Sequence, residues 1–115
     1  MSNSHKDKQW VFNRDITESS PAAGIIRKVM AYSDAMMCVE NHVETGADLA
    51  EHSHPHSQIV YVSEGRYNFT VGDETREIAK GDTIFISGNL KHSCKCIEGG
   101  VIVDFFTPMR EDFVK

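Results

Sequence analysis

From residue 25 onward, hydrophobic and polar residues alternate in short runs of four to eight, separated by turn-forming residues. Such runs predict strands over Ile25–Tyr32, Met36–Val43, Gln58–Ser63, Tyr67–Val71, Thr83–Ile86, His92–Ile97 and Val101–Phe106. Gly72-Asp73 predicts a hairpin joining Phe69-Thr70-Val71 to Arg76-Glu77-Ile78. Gly65, Gly81, Gly88 and Gly99-Gly100 punctuate the remainder. No segment keeps a helical period over three turns, and no repeat or low-complexity linker interrupts the pattern. Many short, evenly spaced strands predict an all-β sandwich or barrel. Ile59, Val60, Tyr61, Val62, Phe85, Ile86, Ile102 and Val103 are expected to form its core or lining.

Residues 1–20 break this rhythm. They are polar and read as a frayed arm, leaving 21–115 as one barrel domain. Trp10, Val11 and Phe12 are the apolar exception. They are candidates for docking the arm on the barrel or on a partner subunit, or for a simple core anchor.

The chain has 115 residues, 40% of them hydrophobic, which suits one domain with one packed core. A net charge of −5 with no basic run argues against nucleic-acid binding. No apolar stretch approaches the ~20 residues of a membrane span, and the first twenty residues lack a signal-peptide apolar region. A cytoplasmic protein is therefore expected. Cys38, Cys94 and Cys96 are odd in number and fit a reducing compartment. They read as ordinary buried thiols.

The chemistry concentrates in His52-Ser53-His54-Pro55-His56. Alternate residues of a strand share a face, which puts the Cβ atoms of His52 and His54 roughly 7 Å apart. Two imidazoles so placed can converge on one metal ion. Pro55 allows a bend before Gln58, whose side-chain oxygen can return to the same centre. His92, after the Gly88-Asn89 turn, is the best fourth ligand. Lone surface histidines would be the ordinary reading, but a His-x-His pair with a further His in a matched motif favours a divalent metal. Three imidazoles and an amide can take Ni, Zn, Mn, Fe or Co. His5 lies in the arm, outside this chemistry. His42 reads as a hydrogen-bonded core or face residue, and His56 as a contact at the cavity rim.

These residues resemble a known pattern. Gly46-x5-His52-x-His54-x3-Gln58-x6-Gly65 resembles the first motif of the cupins in every spacing, with Gln58 in place of the usual Glu. Gly81-x5-Ser87-x-Asn89-x2-His92-x3-Cys96 resembles the second motif. There Ser87, Asn89 and Cys96 replace the usual Pro, Gly and Asn. Asn tolerates left-handed backbone angles and can stand in for that glycine. The resemblance implies a small single-domain cupin (cupin 2 conserved barrel), a double-stranded β-helix or jelly roll, and a homodimer.

A narrower resemblance covers Arg27–Ser33, His52–Gln58 and Asp104–Phe113, which are similar to the KdgF-type cupins of pectin and alginate breakdown. That family converts 4,5-unsaturated monouronates into linear keto sugar acids. The resemblance implies a metal-dependent lyase- or isomerase-type enzyme with Asp104, Phe106 and Arg110 at the site and a small sugar acid as substrate. Asp104 would move protons, Phe106 would wall the sugar ring, and Arg110 would pair with the carboxylate. Two other classes stay open: a non-heme iron-type cupin dioxygenase using His52, His54 and His92, and a non-catalytic module that binds a sugar acid.

Overall fold

The computed structural model describes residues 5–115. Eight strands follow in order: β1 (Ser19–Ala22), β2 (Ile25–Tyr32), β3 (Met37–Val43), β4 (Asp48–His52), β5 (Ser57–Val71), β6 (Glu74–Ala79), β7 (Thr83–Ile86) and β8 (His92–Thr107). They form one antiparallel sheet ordered β1-β2-β3-β8-β5-β6, with β4 also pairing β8 and β7 also pairing β5. Among the described residues the helical segments are two short 3-10 turns, Asn13–Asp15 and Glu111–Phe113. Among the described residues no helix is long and apolar enough to cross a membrane.

The seven expected strands and the expected hairpin partner after Gly72-Asp73 make eight; two pairs of them fuse and two further strands, β1 and β4, appear, so the total is again eight. Gln58–Ser63 and Tyr67–Val71 are halves of β5, and His92–Ile97 and Val101–Phe106 are halves of β8. The glycines that read as breaks are bends within continuous strands. Gly65 sits at φ +97 amid three register shifts between β5 and β8. On one side of it β5 pairs β7, on the other β6. In the same way β8 pairs β4 through Cys94 and β3 through Phe106. Each long strand thus serves both ends of the barrel.

The bend requires glycine for a second reason. A Cβ at Gly100 would run into the carbonyl of Glu64, and one at Gly65 into the carbonyl of Glu98. Backbone carbonyls cannot move aside as a flexible side chain can. Gly100→Ala is therefore expected to cost about 1–3 kcal/mol, read as a lower denaturant midpoint at unchanged m-value.

Alternation decides what is buried. Val60, Val62, Tyr67 and Phe69 point inward from β5. Ile59 and Tyr61 point outward and are 46% and 41% exposed, and Phe85 on β7 is 67% exposed. Val103 is half-buried. This corrects the expectation that all these apolar positions line the core; the period of two assigns half of them to the outer face. One cluster packs around Tyr67 and Ile102, and a second packs Val29, Tyr32, Met37, Val39 and Phe106 together with Met109, Phe113 and Val114.

The arm also differs from expectation. Residues 1–4 lie outside the described residues, but from His5 the chain is tied to β2 and β3. The His5 ring stacks edge-on against Tyr32 and its Nε2 lies 3.0 Å from the carbonyls of Val29 and Met30. The Asp7 amide donates to Tyr32 O, and Asn13 bridges Lys28 and Glu40. Hydrogen bonds hold this segment, while Trp10 and Phe12 remain 77% and 48% exposed.

Candidate metal centre

His52 ends β4 and His92 starts β8, and the two are directly paired across the strands. Their rings consequently lie 4.2 Å apart. His54 follows in the loop to β5, where its carbonyl accepts from the Asn89 amide at 2.7 Å. Asn89 takes φ +66, the left-handed angle that this turn demands. The His54 ring stands 5.0 Å from that of His92 and 5.8 Å from that of His52. Ring nitrogens of the three histidines fall within 4.8 Å of one another, and the trio could hold a metal ion.

The hydrogen bonds behind these rings favour such an ion. Nδ1 of His52 faces the carbonyl of Ala50 at 2.9 Å, and Nδ1 of His92 faces that of Leu90 at 2.9 Å. A proton on each Nδ1 leaves Nε2 with its lone pair free. The Nε2 of His92 is buried and has no hydrogen-bond partner.

His54 makes the sharper case. Burial, with the charge of Arg110 and the proximity of His92, pushes its pKa down to about 4. The ring is then neutral at pH 7 and carries one N–H. Both of its nitrogens nevertheless face oxygen acceptors at 3.1 Å: Nδ1 the carbonyl of His56, and Nε2 the side-chain oxygen of Gln58. The Gln58 amide cannot turn round freely, because its Nε2 donates to Asp104 Oδ1 at 2.9 Å. One contact is therefore lone pair against lone pair, a conflict that a cation relieves. An all-neutral set of imidazole nitrogens and an amide oxygen fits a divalent metal.

Behind Gln58 lies Asp104. Its Oδ2 accepts from Nδ2 of Asn41 at 2.9 Å, so both carboxylate oxygens hold amide donors. Burial pushes its pKa up to about 6, against the opposing pull of those donors and of the Arg27 and Arg110 charges. A buried carboxyl so poised exchanges a proton near neutral pH.

Asp104, Gln58, His52 and His92 line a cavity of about 180 Å³, shared with Phe106 and Arg110. Phe106 sets its ring edge-on to His54 at 5.6 Å. Arg110 follows β8 with its guanidinium 5.2 Å from the Phe106 ring and 4.3 Å from that of Phe113. Its Nε and Nη2 donate to the two oxygens of Asp112 at 3.1 and 2.9 Å.

His56 is half-buried, its ring 5.5 Å from His54 and 6.4 Å from Phe106. His42 is on the outer face, 2.7 Å from Glu40. Cys38, Cys94 and Cys96 are free thiols, and burial pushes that of Cys94 up to about 12.

Arg27 and Asn41 also reach this cavity, although neither was expected at the site from the sequence. Each interrupts an inward-facing apolar row: Arg27 lies between Ile25 and Val29, and Asn41 between Val39 and Val43. A polar residue at the apolar phase of a strand is the signal that would have found them. Asp104, between Ile102 and Phe106, carries the same signal.

A barrel of this topology with a histidine cluster inside defines a cupin. The Cupin domain family model matches residues 39–105. The chain is 37% identical over 93 residues to the pectin degradation protein KdgF of Dickeya dadantii (strain 3937), covering 79% of this chain and 84% of that protein. The structure of KdgF from Halomonas sp. aligns with a TM-score of 0.86 at 27% identity, covering 90% of this chain and 96% of that one. An RmlC-like cupin from Shewanella frigidimarina NCIMB 400 aligns at 0.89 and 30% identity, over 93% of this chain and 96% of that one. The chain therefore belongs to the cupin family, within its KdgF-type group.

Proposed function

We propose that this protein is a metal-dependent enzyme that opens 4,5-unsaturated monouronates from polyuronate breakdown into linear keto sugar acids. The observation that carries the reading is the chain from His54 through Gln58 to Asp104, which sets a carboxyl of raised pKa beside the metal ligands on one cavity wall. Kinship with a pectin degradation protein supports it. So does cavity size: about 180 Å³ is below the ~300–1,000 Å³ of drug-sized sites and suits a single sugar.

His52, His54, Gln58 and His92 would hold one divalent ion. When bound, the ion supplies Lewis-acid polarisation of substrate oxygens. Asp104 is placed to move the proton. It takes one from the C1 hemiacetal hydroxyl as the bond from C1 to the ring oxygen breaks, the electron pair passing to that oxygen. C1 becomes an aldehyde and C5 carries an enolate. The proton is then delivered to C4, leaving a ketone at C5. Nothing is gained or lost, so the overall step is an isomerisation. Phe106 walls the sugar ring, and Arg110 adds positive charge at the mouth. Phe106 and the Phe113 ring keep water from the reacting carbons.

The test follows the ultraviolet absorbance of the conjugated double bond. Metal-loaded protein is expected to abolish it faster than it decays spontaneously; no acceleration with any of the five metals would remove the reading. Gln58→Glu provides a further check. It would set a carboxylate 2.9 Å from Asp104 where an N–H now donates. Metal content is expected to persist while turnover falls about tenfold or more, as like charges upset the proton balance.

A further inference from the structure

The cavity wall carries a charge that the chemistry above leaves unused. Arg27 lies on β2 at an inward position, directly opposite Asn41 on β3. Its guanidinium lies over the Phe113 ring at 3.6 Å from the centroid, and the group lines the same cavity as Asp104. Its Nε is buried with no hydrogen-bond partner. Among the described residues no carboxylate forms an ion pair with it. Arginine stays charged even when desolvated, and a desolvated charge that no carboxylate pairs directly, with Asp104 and Asp112 acting on it only at longer range, opposes folding. Such a group is kept at a cost to stability, which makes sense if its partner arrives with the ligand.

Arg110 is in the opposite condition. One edge of its fork, Nε and Nη2, is already filled by Asp112. Arg27 offers an open fork, braced by an aromatic face, on the wall two strands from Asp104 across β3. A sugar acid lying across that wall would point its carboxylate at Arg27 and its ring carbons toward Asp104.

We propose that Arg27 is the residue that pairs with the carboxylate of the sugar acid, and that it sets the preference of the cavity for acids over neutral sugars. Arg110, held by Asp112, contributes background charge. This rests on the uronate reading above and sharpens its substrate selection.

The experiment is calorimetric binding of galacturonate and of its neutral counterpart galactose to metal-loaded wild type, Arg27→Met and Arg27→Lys. Neither sugar can turn over. Arg27→Met is expected to lose affinity for galacturonate by about 10- to 100-fold and to leave the weaker galactose binding unchanged. Arg27→Lys recovers part of the loss, because it restores charge without the fork. In the absence of ligand, Arg27→Met is expected to melt at the same temperature as wild type or higher. Equal losses for acid and neutral sugar, or earlier melting without ligand, would overturn the proposal by making Arg27 structural. The two readings separate cleanly. If unsaturated uronates are not turned over but galacturonate binding still depends on Arg27, the enzymatic reading fails and the carboxylate site stands. If wild type binds neither galacturonate nor acetate, the carboxylate site fails.

Discussion

Asp104→Ala is expected to lower turnover of an unsaturated monouronate by about 10²- to 10⁴-fold, the contribution of a positioned general acid or base. The residue is the carboxyl on the cavity wall, and burial among its neighbours pushes its pKa up to about 6, close to neutral pH. Metal binding should survive, because Asp104 reaches the histidines only through the Gln58 amide. Folding should survive with a modest penalty. The variant leaves the Asn41 and Gln58 amides without their acceptor, which costs about 1–3 kcal/mol, but it also removes a charge that burial disfavours. Asp104→Asn separates the two effects. It keeps the shape and one acceptor, so it should recover stability without recovering turnover. Rate by ultraviolet absorbance, metal by elemental analysis and melting temperature decide the matter together. A rate within threefold of wild type for either variant would mean that Asp104 is structural.

Loss of the metal is expected to be as severe. A chelator should abolish turnover and also lower the melting temperature. The second effect follows from linkage: an ion at a thousandfold above its dissociation constant stabilises the folded state by about 4 kcal/mol. The polar atoms of the site give a further reason. Nε2 of His92 and the facing acceptors of His54 and Gln58 are satisfied by a cation and by nothing else described around them. His54→Ala removes the central candidate ligand. It should purify without stoichiometric metal, show no turnover, and melt at a temperature that no longer responds to chelator. A chelator that changes neither melting nor rate in wild type would exclude a metal role for the cluster.

Much of the fold was legible because alternation is local. β2, β3, β7 and the β5–β6 hairpin were readable from runs of four to eight residues. β4 was not, since Asp48–His52 is largely exposed and has only Leu49 and Ala50 to suggest a strand. The fusion of strands at Gly65 and Gly99-Gly100 was equally hidden. A glycine that ends a strand and one that bends it look alike until the carbonyls of Glu64 and Glu98 are seen against it. The side to which Ile59, Tyr61 and Phe85 turn depends on register with distant strands, which no local run contains.

The candidate metal ligands stand between these cases. Spacing alone made His52, His54, Gln58 and His92 candidates, because converging imidazoles leave a recognisable short-range signature. Their donor geometry depends on backbone carbonyls of Ala50, His56 and Leu90, which orient the rings. Those partners are a product of the chain path and carry no side-chain signal.

By itself, the sequence determined an all-β cupin-type chain and the residue types available for a neutral, histidine-rich centre. Only the tertiary structure decided how they act. It linked Gln58 to Asp104, so that a candidate metal ligand and a carboxyl of raised pKa share one amide. It filled Arg110 with Asp112 and left Arg27 open. The physical reason is the same throughout. Alternation and spacing travel along the chain, whereas burial, hydrogen-bond partnership and the pKa of a carboxyl depend on strands that are neighbours in space and far apart in sequence.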